Sequence, residues 1–81
     1  MVKYTYAPKF QKTFKKLDNS LKIRIKKLVN KIIENPEIGK SMKYNRKGTR
    51  EVYAGSFRLS YSYDNDADEL IFLTIYHKDE Q

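Results

Sequence analysis

The 81-residue sequence has no cysteine, no tryptophan, a single histidine, two prolines and three glycines. Without cysteine there is no disulfide and no thiolate metal site, and the chain suits a reducing compartment. One histidine among scattered carboxylates offers no ligand cluster, so no metal is expected, and no motif points to a cofactor. Long hydrophobic runs are missing as well: nothing approaches the ~20 apolar residues that span a bilayer. Met1-Val2-Lys3-Tyr4-Thr5-Tyr6 has neither the apolar core nor the small-residue cleavage site of a signal peptide. Export and membrane insertion are therefore not expected, and the chain is read as cytoplasmic. So short a chain leaves little room for a second core, so residues 1–81 are read as one domain.

Negative charge is also scarce. Ten acidic residues face seventeen lysines and arginines, a formal net charge of +7. Such a surplus predicts an acidic partner: nucleic acid, an acidic protein segment or a membrane surface. Much of the lysine falls on predicted helices, where a solvated face accounts for it.

What is present is well patterned. Val2, Tyr4 and Tyr6 alternate with Lys3 and Thr5, all compatible with a strand at about residues 2–6. Pro8 can open a helix. Phe10, Phe14 and Leu17 then form one stripe, with Lys9, Lys12, Lys15 and Lys16 on the other face. Asp18-Asn19-Ser20 breaks this helix and offers a cap to the next. Leu21, Ile25, Leu28, Val29, Ile32 and Ile33 make a broad apolar stripe that Asn35-Pro36 ends. The short connection predicts an antiparallel helical hairpin. Residues 37–49 read as a loop. Within it Lys40, Lys43, Arg46 and Lys47 flank Tyr44 with no acid between them. That segment is either a solvated charged loop or a nucleic-acid contact with Tyr44 as a stacking group.

Arg50 to Ala54 reads as a strand, and Gly55-Ser56 as a hairpin turn in which glycine supplies positive φ. Phe57, Leu59, Tyr61 and Tyr63 alternate with Arg58, Ser60 and Ser62: one aromatic face and one polar face. Asp64-Asn65-Asp66-Ala67-Asp68 is an acidic turn. Leu70 to Tyr76, apolar on both faces, predicts a central strand. The order is β-α-α-β-β-β.

Arg58 carries the clearest chemistry. A guanidinium on a strand is positioned by the sheet and can hold a phosphate through two parallel N–H bonds. It can also stabilise charge developing at phosphorus, or simply form a surface ion pair. His77, where the last strand ends, titrates near neutrality and can pass a proton. It is equally a lone surface histidine. Glu51 is either a cross-strand salt-bridge partner or a general base for a 2′-hydroxyl. Arg50 and Lys78 add cations nearby. Most tyrosines are assigned to packing, leaving Tyr44 and Tyr76 as candidates for base stacking.

The stretch Arg50-Glu51-Val52-Tyr53-Ala54-Gly55-Ser56-Phe57-Arg58-Leu59-Ser60-Tyr61, the element order and Tyr76-His77-Lys78 together resemble the RelE/ParE toxin superfamily. The resemblance covers nearly the whole chain. It implies an α+β fold, a small twisted antiparallel β-sheet packed against an N-terminal α-helical hairpin. It also implies a toxin of a type II toxin–antitoxin system with a cognate antitoxin partner. RelE-like members cut mRNA on the ribosome without metal, the 2′-hydroxyl attacking the adjacent phosphate and so inhibiting translation. On that pattern Arg58 and His77 are catalytic residues; Glu51, on the strand after the place of the family's glutamate, joins them as the candidate base read from the residues above. Lys43, Tyr44, Arg46, Lys47, Arg50, Tyr76 and Lys78 are the RNA contacts, with the ribosome and mRNA as partners. His77 resembles the near-terminal histidine of YoeB-like members, although Lys78 stands where those carry a tyrosine. Ser41 or Met42 falls near the place of their glutamate. Two other expectations compete: a ParE-like inhibitor of DNA gyrase, and a nucleic-acid-binding relative without activity.

Overall fold

The structure, a computed structural model, describes residues 2–41 and 48–80. Strand β1 (Lys3–Tyr6) leads into helix α1 (Pro8–Lys15) and then helix α2 (Asn19–Glu34). Strands β2 (Lys40–Ser41), β3 (Thr49–Ala54), β4 (Phe57–Asp64) and β5 (Glu69–His77) follow, and a 3₁₀ turn spans Lys78–Glu80. Local chemistry explains the helix boundaries. Pro8 sits in the first turn of α1, where its missing N–H costs nothing. The Asp18 carboxylate caps α2 by accepting from the Leu21 amide at 2.8 Å. Asn35, no longer helical, ends α2 one residue before Pro36.

The sheet runs β1-β5-β4-β3-β2. It departs from the expected antiparallel sheet in two places. First, β1 pairs with β5 in parallel, Tyr4 opposite Leu70 and Tyr6 opposite Phe72, so the sheet is mixed. A parallel pair needs a long crossover, and everything between Ala7 and Asp68 supplies it. Second, Lys40–Ser41, expected in a loop, forms a short edge strand with Lys40 opposite Glu51 and Ser41 opposite Arg50. Two residues carry no periodicity, and the pairing is imposed by contacts from distant strands.

Helix α1 packs on β5 and α2 on β3. Both contribute to one core: Phe10, Ile25, Val29 and Ile32 meet Ala54, Leu59, Tyr61, Leu70, Phe72 and Ile75. Burying a large apolar side chain stabilises by about 1.5–3 kcal/mol, so this face carries the fold. The Tyr6 ring stacks on both Phe10 and Phe72, with ring centroids 5.3 Å apart in each pair. Between the two helices lies a mostly apolar cleft of about 420 Å³, floored by Phe10, Phe14 and Val29 and edged by Lys15 and Lys26.

A β-bulge lies at the centre. Ser60 pairs with Thr74 but Tyr61 pairs with Phe72, leaving Leu73 extra on β5. Phe72 and Ile75, three residues apart, therefore face the same core. The bulge shifts the alternation by one residue, so Thr74 and Tyr76 face away from the helices. The apolar residues on both sides of β5 have this cause as well as its place between β1 and β4. Among the described residues no helix is long and apolar enough to cross a membrane.

Candidate active site

The face of the sheet away from the helices carries a compact polar group. The Gly55-Ser56 turn, with Gly55 at φ 61°, connects β3 and β4 through two residues. A two-residue loop fixes register. Ala54 pairs with Phe57, Tyr53 with Arg58, and Glu51 with Ser60. Across β4, Arg58 pairs with Tyr76 and Ser60 with Thr74. Glu51, Tyr53, Arg58, Ser60, Thr74 and Tyr76 thus share this face. Lys40, opposite Glu51 on the edge strand, extends it with a cation.

Arg58 is the centre of the group. Its guanidinium lies over the Tyr53 ring, 4.3 Å from the centroid. Its Nη1 stands 3.5 Å from Glu51 Oε1. The Glu51 side chain is only 4% exposed, while that of Arg58 is 26% exposed. A buried carboxylate thus lies beneath a cation that reaches solvent. The other Glu51 oxygen accepts a hydrogen bond from the Tyr76 hydroxyl. Burial works against the Arg58 charge, but Tyr53 and Glu51 outweigh it, and its pKa is raised above the ordinary arginine value. Nε of Arg58 is buried and has no hydrogen-bond partner among the described residues.

The structure brings together Arg58, Glu51 and Tyr76 from the expected site and separates Arg50 and His77 from them. Arg50 pairs with Tyr61 and lies on the helix face. Its Nη1 donates to the carbonyls of Glu37 at 3.0 Å and Gly39 at 2.9 Å. Tyr61 holds the same segment: its hydroxyl donates to Pro36 O at 2.8 Å and accepts from the Gly39 amide at 2.9 Å. Burial pushes the Tyr61 phenol up, although the Gly39 N–H and the Arg50 charge oppose it. There is no room here for a larger residue than Gly39, because a Cβ would lie 2.6 Å from the Tyr61 oxygen.

His77 is paired with Phe57 at the sheet's end, so it lies on the opposite face from Arg58. The two rings meet edge to face at 5.2 Å. Its Nδ1 accepts from the Asp79 amide at 3.2 Å, which fits the neutral tautomer protonated on Nε2. Asp79 Oδ2, 3.4 Å from the same nitrogen, pairs with it only if the ring is protonated. Lys78 is exposed and its amide donates to Ser56 O at 2.8 Å. Lys43, Tyr44, Arg46 and Lys47, the expected RNA-contact segment, lie outside the described residues.

Four members of this face, Lys40, Tyr53, Ser60 and Thr74, were not among the expected site residues. Tyr53 could have been found from the turn, since a two-residue loop at Gly55-Ser56 places it directly opposite Arg58. Lys40 carried no comparable signal, because its strand was not visible. Chemically the face offers a cation, a stacked aromatic ring and a hydroxyl–carboxylate pair joined by one hydrogen bond. Among the described residues no three His, Cys, Asp or Glu side chains gather as a metal site.

Comparison with known proteins gives this geometry a context. The family model described as the ParE toxin of the type II toxin–antitoxin system, parDE, matches residues 4–81. No curated protein sequence matches the chain directly. Among solved structures, the chain is similar to the intact RelBE toxin–antitoxin complex of E. coli, with TM-score 0.82 and 15% identity, covering 95% of this chain and 96% of that one. It is similar to the YoeB/ParE toxin of Agrobacterium tumefaciens, with TM-score 0.81 and 13% identity over 94% and 98% of the two chains. It is also similar to the archaeal RelE–RelB complex of Pyrococcus horikoshii, with TM-score 0.78 and 14% identity over 99% and 98%.

Proposed function

The chain belongs to the ParE toxin family of type II toxin–antitoxin systems, and from that premise we propose that it is a metal-independent endoribonuclease that cuts mRNA on the ribosome. The observation that carries this reading is the cluster on the open sheet face. Arg58 reaches solvent beside Glu51 and Tyr76, themselves joined by a hydrogen bond. Cleavage by the neighbouring 2′-hydroxyl needs those functions together. A base takes the 2′-proton as the oxygen attacks phosphorus, a cation stabilises the charge on the phosphoryl oxygens, and an acid protonates the departing 5′-oxygen. The products are a 2′,3′-cyclic phosphate and a free 5′-hydroxyl, and no other reactant is needed.

In this proposal Arg58 clamps the scissile phosphate, Glu51 is the base and Tyr76 the proton donor. Tyr76 replaces His77 in that role because it shares the face of Arg58. Tyr53 holds the guanidinium flat, and Lys40 draws the RNA backbone toward the face. Lys43, Tyr44, Arg46 and Lys47 remain the proposed RNA contacts of the segment between Ser41 and Gly48. The cognate antitoxin is the proposed protein partner, and an acidic antitoxin segment suits the +7 charge.

The test is in vitro translation with the purified chain followed by primer extension on the mRNA. Ribosome-dependent cuts that disappear with Arg58→Ala support the proposal, and intact mRNA with normal protein synthesis sinks it. A second reading is favoured by one observation, that the matching family model is ParE. On that reading the toxin inhibits DNA gyrase by binding, with no chemistry of its own. A supercoiling assay separates the two, because only the gyrase inhibitor blocks supercoiling while leaving mRNA uncut.

A further inference from the structure

The donors of Arg58 are arranged unusually for a residue that binds phosphate. A guanidinium captures an anion bidentately along one of two edges: end-on through Nη1 and Nη2, or side-on through Nε and Nη2. Neither edge is clear in this protein. Nη1 is turned to Glu51 Oε1 at 3.5 Å, and Nε is buried without a partner among the described residues. The 3.5 Å contact is long for a charge-assisted hydrogen bond, whose usual span is about 2.7–2.9 Å. Arg58 is therefore held weakly by an internal anion at the edge a phosphate would take. That anion has another donor already in place. Glu51 Oε2 accepts from Tyr76, so the carboxylate keeps a hydrogen bond in its buried site if Arg58 turns away.

We propose that Glu51 is an internal stand-in for the RNA phosphate: it occupies Nη1 of Arg58 in the free protein and is left to Tyr76 when a phosphodiester binds. This rests on the reading of Arg58 as a phosphate clamp. Glu51 then sets the affinity of the site. The ion pair keeps the guanidinium flat on Tyr53 and discourages solitary anions. A polymer that also engages the surrounding cations displaces the carboxylate. Displacement also leaves Glu51 hydrogen-bonded to Tyr76 alone, as a base beside the bound backbone.

The experiment measures binding of a short single-stranded RNA with 2′-O-methyl groups, which cannot be cleaved, at fixed salt. Glu51→Gln keeps the shape and removes the competing charge, and should bind about two- to fivefold tighter than the native chain. Any lost negative charge tightens polyanion binding somewhat. The control is therefore Asp66→Asn, in the exposed turn beyond the far end of β4. Equal tightening by Glu51→Gln and Asp66→Asn overturns the proposal, as does unchanged or weaker binding by Glu51→Gln. Tyr76→Phe provides a second measurement. It removes the alternative donor and should weaken binding more in the native chain than once Glu51 is Gln, where only the direct contact of the Tyr76 hydroxyl with RNA is lost. An equal loss in both backgrounds means that Tyr76 acts through its own contact alone and overturns the exchange. Arg58→Ala separates the two levels. If it binds RNA as the native chain does, the phosphate-clamp reading fails and this proposal with it. If it loses binding while Glu51→Gln gains nothing, only the proposed competition fails.

Discussion

Two arginines eight residues apart on neighbouring strands meet opposite fates. Arg50, on the helix face, spends its Nη1 on the carbonyls of Glu37 and Gly39. Arg58, on the open face, has one long contact to a carboxylate, a ring beneath it and a buried Nε with no partner among the described residues. The residue type is the same and so is the secondary structure. The difference lies in the neighbours. On the helix face the partners are backbone carbonyls that cannot leave, so the arginine becomes part of the scaffold. On the open face the partner is a side chain with a second donor of its own, so the arginine can exchange it. The proposed ligand-binding role of Arg58 thus differs from the scaffold role of Arg50 in whether the partner is replaceable.

Four substitutions test that contrast. The largest effect is expected from Gly39→Ala. The new methyl would lie 2.6 Å from the Tyr61 oxygen and 3.0 Å from the Arg50 Cβ, in a buried site. A loss of about 1–3 kcal/mol is expected from such overpacking, read as a lower urea midpoint with an unchanged slope. An unaltered midpoint would show that the clasp around Gly39 yields cheaply.

Arg50→Ala comes next. It leaves the carbonyls of Glu37 and Gly39 without this donor and should cost about 1–2 kcal/mol, discounted because the site is partly solvated. RNA affinity should fall no more than for any other lost surface cation. If instead affinity collapses while the melting temperature holds, the division between the two arginines is wrong.

Tyr61→Phe sharpens the same side through pH. Burial raises the folded-state pKa of Tyr61 above its unfolded value. The protonated phenol is therefore favoured in the fold. Its contribution is complete below the unfolded value near 10 and is lost as pH rises through the folded one. The variant should be less stable at neutral pH by about 1 kcal/mol and should lose less stability above pH ~10. Parallel alkaline melting curves for the two chains would remove Tyr61 from this account.

Tyr53→Ala should have the smallest effect on stability. The ring is 52% exposed and its main service is to Arg58. Stability should change by less than about 1 kcal/mol, while affinity for uncleavable RNA falls about two- to fivefold. A chain that melts much earlier but binds RNA normally would place Tyr53 with the scaffold.

Much of this was legible beforehand. Both helices announced themselves by apolar stripes and by Pro8, Asp18 and Pro36. The alternation around Arg58 placed it on a polar strand face. Glu51 was harder: its spacing left open whether it pointed toward Arg58, until the two-residue turn at Gly55-Ser56 put Tyr53 opposite Arg58 and Glu51 on the same side. Tyr76 and His77 could not be told apart by pattern. The extra residue at Leu73 decides which of them looks toward Arg58, and a bulge leaves no mark in an apolar run.

By itself the sequence determined both helices and four of the five strands, their order, the strong positive charge and the presence of an arginine on a polar strand face. These follow from interactions within a few residues: helical and strand periodicity, caps and turns. Only the tertiary structure decided that β1 runs parallel to β5, that Lys40–Ser41 is a strand, that His77 lies on the helix side and that Glu51 joins Arg58 to Tyr76. Each depends on register between segments distant in the chain, where a shift of one residue turns every side chain to the other face.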